Sequence, residues 1–166
     1  MIGGQRRPSV ICREPGQADG ARIWELARDS GKLDVNSAYF YLAMSRWFSA
    51  SCRVAINVSD DSVAGFAIGF RQPERQDTLF VWQIAVAERL RGQGIAQKLL
   101  DEVTEPEDIR YVEATVSPSN VPSRTMFMKW ASSRGLTPGV SPGFDERCFP
   151  GERHEREDLY RIGPLR

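Results

Sequence analysis

The stretch from Thr78 to Val116 constrains this chain more than any other. Thr78 to Val86 is a nearly continuous apolar run, the pattern of a central strand buried on both faces. Arg91-Gly92-Gln93-Gly94-Ile95-Ala96 follows it. From Gly94 to Thr104, Ile95, Leu99, Leu100 and Val103 supply one helical face, and Pro106 stops the helix soon after. Tyr111 to Val116 then alternates, with Val112, Ala114 and Val116 on one side and Tyr111, Glu113 and Thr115 on the other. Strand, helix and strand in that order form a crossover unit, which requires two parallel strands in one sheet.

The flanking segments add hairpins and helices. Val10 to Arg13 reads as a short strand, Pro15-Gly16 breaks it, and Asp19 to Ser30 is a helix with Ile23, Leu26 and Ala27 on one stripe. A second helix is expected from Ser37 to Phe48, capped by Asn36 or Ser37, with Phe40, Ala43, Met44, Trp47 and Phe48 as its core face. Cys52 to Val58 and Val63 to Phe70 are β-rich runs joined by Ser59-Asp60-Asp61-Ser62, so they should pair antiparallel, and Arg71 to Asp77 reads as a polar loop. A further helix from Ser123 to Arg134 turns Met126, Phe127, Trp130 and Ala131 inward and closes at Gly135. Val140 to Phe149 and Asp158 to Ile162 read as the final strands, on either side of a charged loop from Gly151 to Glu157. The order predicts one α/β (α+β) domain over residues 9–166 with a mixed sheet, behind a polar segment, residues 1–8, expected to be disordered.

Composition narrows the partners. Lys plus Arg and Asp plus Glu both number 22, so no global field favours nucleic acid or an anionic membrane, and a small-molecule partner is expected. No apolar run approaches the roughly 20 residues that span a bilayer, and the polar start lacks a signal-peptide core, so a cytoplasmic location is expected. Cys12, Cys52 and Cys148 are odd in number and far apart, which offers neither a disulfide framework nor metal-ligand spacing.

A helix that starts just after a central strand presents unpaired backbone N–H groups and the positive end of its dipole, a site for phosphate oxygens. Gly92 and Gly94 allow the backbone to curl around the anion, and Arg91 adds a charge-assisted hydrogen bond. A Walker loop would need Gly-Lys-Ser or Gly-Lys-Thr, which is missing, and a dinucleotide fingerprint would need a small residue at Gln97. Arg91-x-x-Gly94-x-Ala96 instead fits the signature Arg/Gln-x-x-Gly-x-Gly/Ala. Asn120-Val121-Pro122-Ser123-Arg124-Thr125-Met126-Phe127 fits Asn-x-x-Ser/Ala-x-x-Met/Leu-aromatic directly after the expected strand.

With these motifs and this element order the chain resembles the GNAT family of N-acetyltransferases. The resemblance implies the GNAT acyl-CoA N-acyltransferase fold, a mixed central sheet of about six or seven strands flanked by about four helices. It implies acetyl-CoA as co-substrate and no metal. Arg91, Gly92, Gln93, Gly94, Ile95 and Ala96 would bind the CoA pyrophosphate, Ile84, Ala85 and Val86 the pantetheine arm and thioester, and Asn120 and Ser123 would add CoA contacts. Phe127 stands where many relatives carry a tyrosine as general acid, and phenylalanine cannot donate a proton. Another tyrosine or a water must serve, or the thiolate leaves unprotonated.

A primary amine has an ordinary pKa of about 10.4, so reaching the free base near pH 7 costs roughly 4–5 kcal/mol. A carboxylate beside the amine can accept its proton directly or through water, and Glu113, mid-strand next to the strand expected to hold the thioester, is the candidate. Leu33-Asp34-Val35-Asn36-Ser37-Ala38-Tyr39, Trp82-Gln83-Ile84-Ala85-Val86, Glu113-Ala114-Thr115 and Glu157-Asp158-Leu159-Tyr160-Arg161-Ile162 further resemble the diaminobutyrate acetyltransferases of ectoine synthesis, from about Val10 to Ile162. That resemblance implies acetyl transfer to the γ-amine of L-2,4-diaminobutyrate. Asp34 would pair with an ammonium, Trp82 would flank it by a cation–π contact, Tyr39 would lie at the pocket mouth as a possible proton donor, and His154 would contact the carboxylate or relay a proton. A homodimer is also implied. The alternatives are an acetyltransferase for another amine, such as a polyamine, an antibiotic or a protein N-terminus, and a catalytically silent acetyl-CoA-binding module.

Overall fold

The expected apolar runs become the strands and helices of the computed structural model, which describes residues 9–31, 33–151 and 154–166. The N-terminal segment at residues 1–8 lies outside the described residues. In chain order the elements are β1 (Val10–Arg13), α1 (Asp19–Asp29), α2 (Ala38–Trp47), β2 (Arg53–Asn57), β3 (Val63–Gln72), β4 (Arg75–Val86), α3 (Ile95–Val103), β5 (Tyr111–Val116), α4 (Val121–Ser133), β6 (Gly139–Phe144) and β7 (Glu157–Ile162). The seven strands run β1-β2-β3-β4-β5-β7-β6 in one sheet. β4 and β5 are parallel, as the crossover requires, while β1/β2, β2/β3, β5/β7 and β6/β7 are antiparallel, so the sheet is mixed as expected. The chain divides into two compact units, the first made of the chain up to Gly69 with Gln83–Val103, the second of Phe70–Trp82 with Thr104–Arg166.

In the first unit β1 pairs with β2 from Val10↔Asn57 to Arg13↔Val54. Arg13 clamps Asp19 at the start of α1 through two hydrogen bonds of 2.7 and 3.0 Å, and the Gly16 N–H donates to the same carboxylate at 2.7 Å. α1 buries Ile23 and Ala27, one turn apart on the expected stripe. α3 settles on a cluster of Ala55, Ala64, Ala67, Leu90, Ile95 and Leu99. Leu99 and Leu100 are fully buried, each contributing about 1.5–3 kcal/mol by leaving water. A Cβ at Gly65 of β3 would sit 2.8 Å from the Ala85 carbonyl oxygen and 3.2–3.3 Å from the side chains of Leu99 and Ile95. This glycine is what lets strand and helix approach so closely.

α2 corrects the expected core face. Ser37 does cap it, its hydroxyl accepting from the Phe40 N–H at 3.3 Å. The buried residues, however, are Tyr41, Met44 and Ser45, whereas Trp47 is 65% exposed and Phe48 is also exposed. Apolar side chains surround much of this helix, so periodicity alone leaves its orientation open. The face carrying the Tyr41 hydroxyl wins because that hydroxyl has a buried acceptor.

In the second unit β5 pairs with β4 at Thr78↔Tyr111, Leu79↔Val112 and Phe80↔Glu113, and with β7 at Glu113↔Arg161 and Ala114↔Tyr160. α4 buries Phe127, Trp130 and Ala131, an i, i+3, i+4 set, and Gly135 ends the turn with φ +69°. Three further expectations are corrected. Arg71 to Asp77 is no loop, because β3 runs to Gln72 and β4 starts at Arg75, with Pro73-Glu74 as the turn. β4 is not covered on both faces, since Trp82 is 47% exposed. The strand read to Phe149 stops at Phe144, and Asp145 caps a single 3₁₀ turn, Glu146–Cys148, by accepting from the Arg147 N–H at 3.0 Å.

Candidate active site

In the first unit the glycine loop sits between a 3₁₀ turn, Glu88–Leu90, pinned by the buried Leu90, and α3. Gly92 has φ +75° and Gly94 φ +81°, the left-handed region where a side chain is strained. The first intrahelical bond of α3 runs from the Lys98 N–H to the Gly94 carbonyl at 3.0 Å. The amides of Ile95, Ala96 and Gln97 are therefore those a helix leaves unpaired at its start, as an anion cradle needs. The Arg91 guanidinium turns back to the Val86 carbonyl at 3.2 Å, which ties the loop to the end of β4. Ile84 and Val86 pack against the alanine-rich cluster beneath α3, and Ala85 directs its carbonyl toward Gly65.

The same unit holds Asp34 and Tyr39 on and just after the segment that leads into α2. Both are exposed, Tyr39 at 70%, so its ring is no part of the core. The Tyr41 hydroxyl donates to Gln83 Oε1 at 2.7 Å, and Gln83 Nε2 donates to the Asp34 carbonyl at 2.7 Å. This chain of bonds fastens the Asp34 segment to β4. Neither Tyr41 nor Gln83 stood out as a site residue in the sequence, although Gln83 is the one amide in an apolar run, a signal of a buried partner.

The second unit carries the remaining candidates. Asn120 caps α4, its Oδ1 accepting from the Ser123 N–H at 3.2 Å, so the motif's asparagine and serine share one helix start. Beside them the Ser119 N–H reaches Glu155 at 3.3 Å, and its hydroxyl at 2.5 Å, which fastens the segment before β7 to this helix start. Phe127 is buried. The His154 ring stacks on Phe149 at 3.7 Å between centroids, with Nδ1 2.6 Å from the Glu155 carbonyl. Glu152 and Arg153, also in the charged loop, lie outside the described residues.

Glu113 is 3% exposed and fully engaged by protein donors. Gln72 Nε2 and Arg161 donate to it, and Arg75 reaches both its oxygens at 3.3 and 3.4 Å. The Arg161 guanidinium also lies 3.9 Å above the centre of the Tyr111 ring. Opposite Glu113 in register stands Phe80, whose ring is 5.3 Å from Phe70, and Phe70 is 6.3 Å from Trp82. A buried carboxylate, two guanidiniums and an aromatic row thus share one face of the strands. Gln72, Arg75 and Arg161 were not among the residues singled out from the sequence.

Residues 21–131 match the model of the acetyltransferase (GNAT) family. The chain is 46% identical over 162 residues to the L-2,4-diaminobutyric acid acetyltransferase of Shouchella clausii, covering 96% of this chain and 89% of that one. It is 45% identical over 161 residues to the enzyme of the same name from Nocardia farcinica, covering 95% and 81%. Among solved structures, diaminobutyrate acetyltransferase EctA from Paenibacillus lautus, in complex with its substrate L-2,4-diaminobutyric acid and coenzyme A, matches with a TM-score of 0.89 and 40% identity, covering 96% of this chain and 97% of that one. With the glycine loop, the Asn120-capped helix and the parallel β4/β5 pair of this chain agreeing with these matches, the chain belongs to the acetyltransferase (GNAT) family, among the diaminobutyrate acetyltransferases.

Proposed function

We propose that residues 9–166 form one acetyltransferase domain that transfers the acetyl group of acetyl-CoA to the γ-amine of L-2,4-diaminobutyrate, the acetylation step of ectoine synthesis. The observation that carries this reading is the left-handed Gly92/Gly94 loop at the start of α3, joined to relatives at 40–46% identity that bear that activity in their names. The pyrophosphate lies on Arg91, Gly92, Gln93, Gly94, Ile95 and Ala96, with Asn120 and Ser123 as further CoA contacts. Backbone groups of Ile84, Ala85 and Val86 hold the pantetheine arm and polarise the thioester carbonyl. The γ-nitrogen attacks that carbonyl, the C–N bond forms, the C–S bond breaks and the amine loses a proton.

Asp34 pairs with the ammonium of the acceptor, Trp82 covers it by a cation–π contact, and His154 meets the polar end of the amino acid. Tyr39, exposed at the first turn of α2, supplies the proton to the CoA thiolate that Phe127 cannot. Glu113 takes the amine proton only by releasing one of its three donors, so its main part is to hold Arg75 and Arg161, and the proton leaves through water. The active form is a homodimer in the cytoplasm; no helix among the described residues is long and apolar enough to cross a membrane.

Thiol release from acetyl-CoA, compared across diaminobutyrate, ornithine, lysine and spermidine, tests the reading. A strong preference for diaminobutyrate is expected, and equal rates refute the substrate assignment. Tyr39→Phe should lower kcat with little change in the KM for acetyl-CoA. A Glu113→Gln variant whose pH profile loses its lower limb would restore the glutamate as base.

A further inference from the structure

The diamino acid acceptor carries a carboxylate as well as two amines, and a carboxylate is bound best by a fixed guanidinium fork. From the cluster around Glu113 we infer that Arg161, with Arg75 beside it, forms the site that recognises the acceptor's carboxylate and so excludes amines that lack one. This rests on the reading of the chain as a diaminobutyrate acetyltransferase.

Charge is the first argument. Two guanidiniums share a single carboxylate, and among the described residues Glu113 is the only acidic partner of either. The cluster keeps one surplus positive charge beside a carboxylate that is almost wholly buried. That surplus sits on two partly exposed guanidiniums beside a buried carboxylate, where an arriving anion can pair with it.

Geometry is the second. The two cations are not themselves sunk in the interior: the Arg75 side chain is 50% exposed and that of Arg161 32%. Glu113 holds them from below, and the Tyr111 ring holds the Arg161 plane from one face. A guanidinium has five N–H donors in a fixed fork, so an Arg that spends one edge on Glu113 still offers another to a carboxylate in bidentate fashion. Because the side chains are already fixed, little further ordering is needed when the ligand arrives. Phe80 and Trp82 line the same face of β4, two residues apart, which gives the hydrocarbon part of a short diamino acid an apolar wall.

His154 is the weaker seat for the carboxylate. Its ring is stacked flat on Phe149, and its Nδ1 faces the Glu155 carbonyl.

The test compares L-2,4-diaminobutyrate with 1,3-diaminopropane, the same diamine without the carboxylate, in the unaltered chain, Arg161→Gln and Arg75→Gln. For Arg161→Gln the kcat/KM preference for diaminobutyrate should shrink by about 10–100-fold, the loss of one charge-assisted pair, and mainly through KM. Arg161→Lys, which keeps the charge without the fork, should fall between. Should Arg161→Gln fail to fold, Arg75→Gln, at the more open position, carries the same comparison. A merely structural role lowers turnover of both amines together and leaves the preference intact, and that result overturns the inference. Absence of diaminobutyrate acetylation by the unaltered chain overturns the functional reading instead.

Discussion

The bonds through Gln83 allow a quantitative test of how the Asp34 segment is held. In Gln83→Leu the side chain keeps its approximate volume but loses both polar ends. The Tyr41 hydroxyl then has no acceptor at 2.7 Å, and the Asp34 carbonyl has no donor at 2.7 Å. Each stranded group costs about 1–3 kcal/mol where water does not replace the partner; Tyr41 is fully buried while Asp34 is exposed, so the variant should lose about 1–3 kcal/mol. For a chain of this length that corresponds to a drop in Tm of roughly 2–12 °C. Tyr41→Phe keeps the edge-to-face contacts with Phe40 and Phe66 and removes only the hydroxyl, so about 1–2 kcal/mol is expected. In the double variant the hydroxyl stranded by the leucine no longer exists, and the combined loss should fall short of the sum by about 1 kcal/mol. Urea titrations of the four proteins at one pH measure all three quantities. A Gln83→Leu loss below about 0.5 kcal/mol, or strict additivity, would refute the idea that these bonds act as one unit.

Three further outcomes are expected. Ser45 is buried and its hydroxyl has no hydrogen-bond partner among the described residues, so Ser45→Ala should be neutral or stabilising by up to about 1 kcal/mol in thermal denaturation; a clear loss would refute this. Burial opposes the charge of Asp19, but the Arg13 guanidinium, the Gly16 N–H and Arg22 together outweigh it and hold the carboxyl below its ordinary value. Its contribution is thus complete above the ordinary carboxyl range and is lost as pH falls through the lower folded value; Asp19→Asn should flatten the wild-type decline in stability between pH 5 and 3, about where carboxylates titrate. Burial pushes the Cys52 thiol up to about 11, while Cys148 is exposed, so a thiol reagent near pH 8 should label Cys148 first and Cys52 only on unfolding, read by peptide mass.

Local patterning was legible where one period dominated. Val10–Arg13 and Tyr111–Val116 form strands with the bounds expected of them, and the glycine loop falls between strand and helix as its letters implied. The misreadings share a cause. Arg71 to Asp77 has the composition of a loop, yet a ladder that runs into solvent exposes its side chains, so charge does not end it. On α2 more than one apolar stripe was available, and the choice was made by Gln83, 42 residues away from Tyr41. The partners of Glu113 are equally remote, Arg75 at a separation of 38 and Arg161 at 48. No periodic signal marks the partners of a charged residue on a strand, so the two arginines beside Glu113 emerge only from the register of three strands.

Gly65 shows how the position of a glycine loop can be set from a residue outside it. With no side chain there, α3 rests on the sheet through Leu99 and Ile95, and the height at which it rests sets where the Gly92–Gly94 turn stands. A single methyl group at position 65 would meet the Ala85 carbonyl at 2.8 Å and the Leu99 and Ile95 side chains at 3.2–3.3 Å, so it should act like a shim under one end of a lever, leaving every residue of the loop unchanged while shifting the helix tip. On the proposed reading, in which this loop takes the nucleotide end of the co-substrate, affinity for that end would follow from sheet thickness.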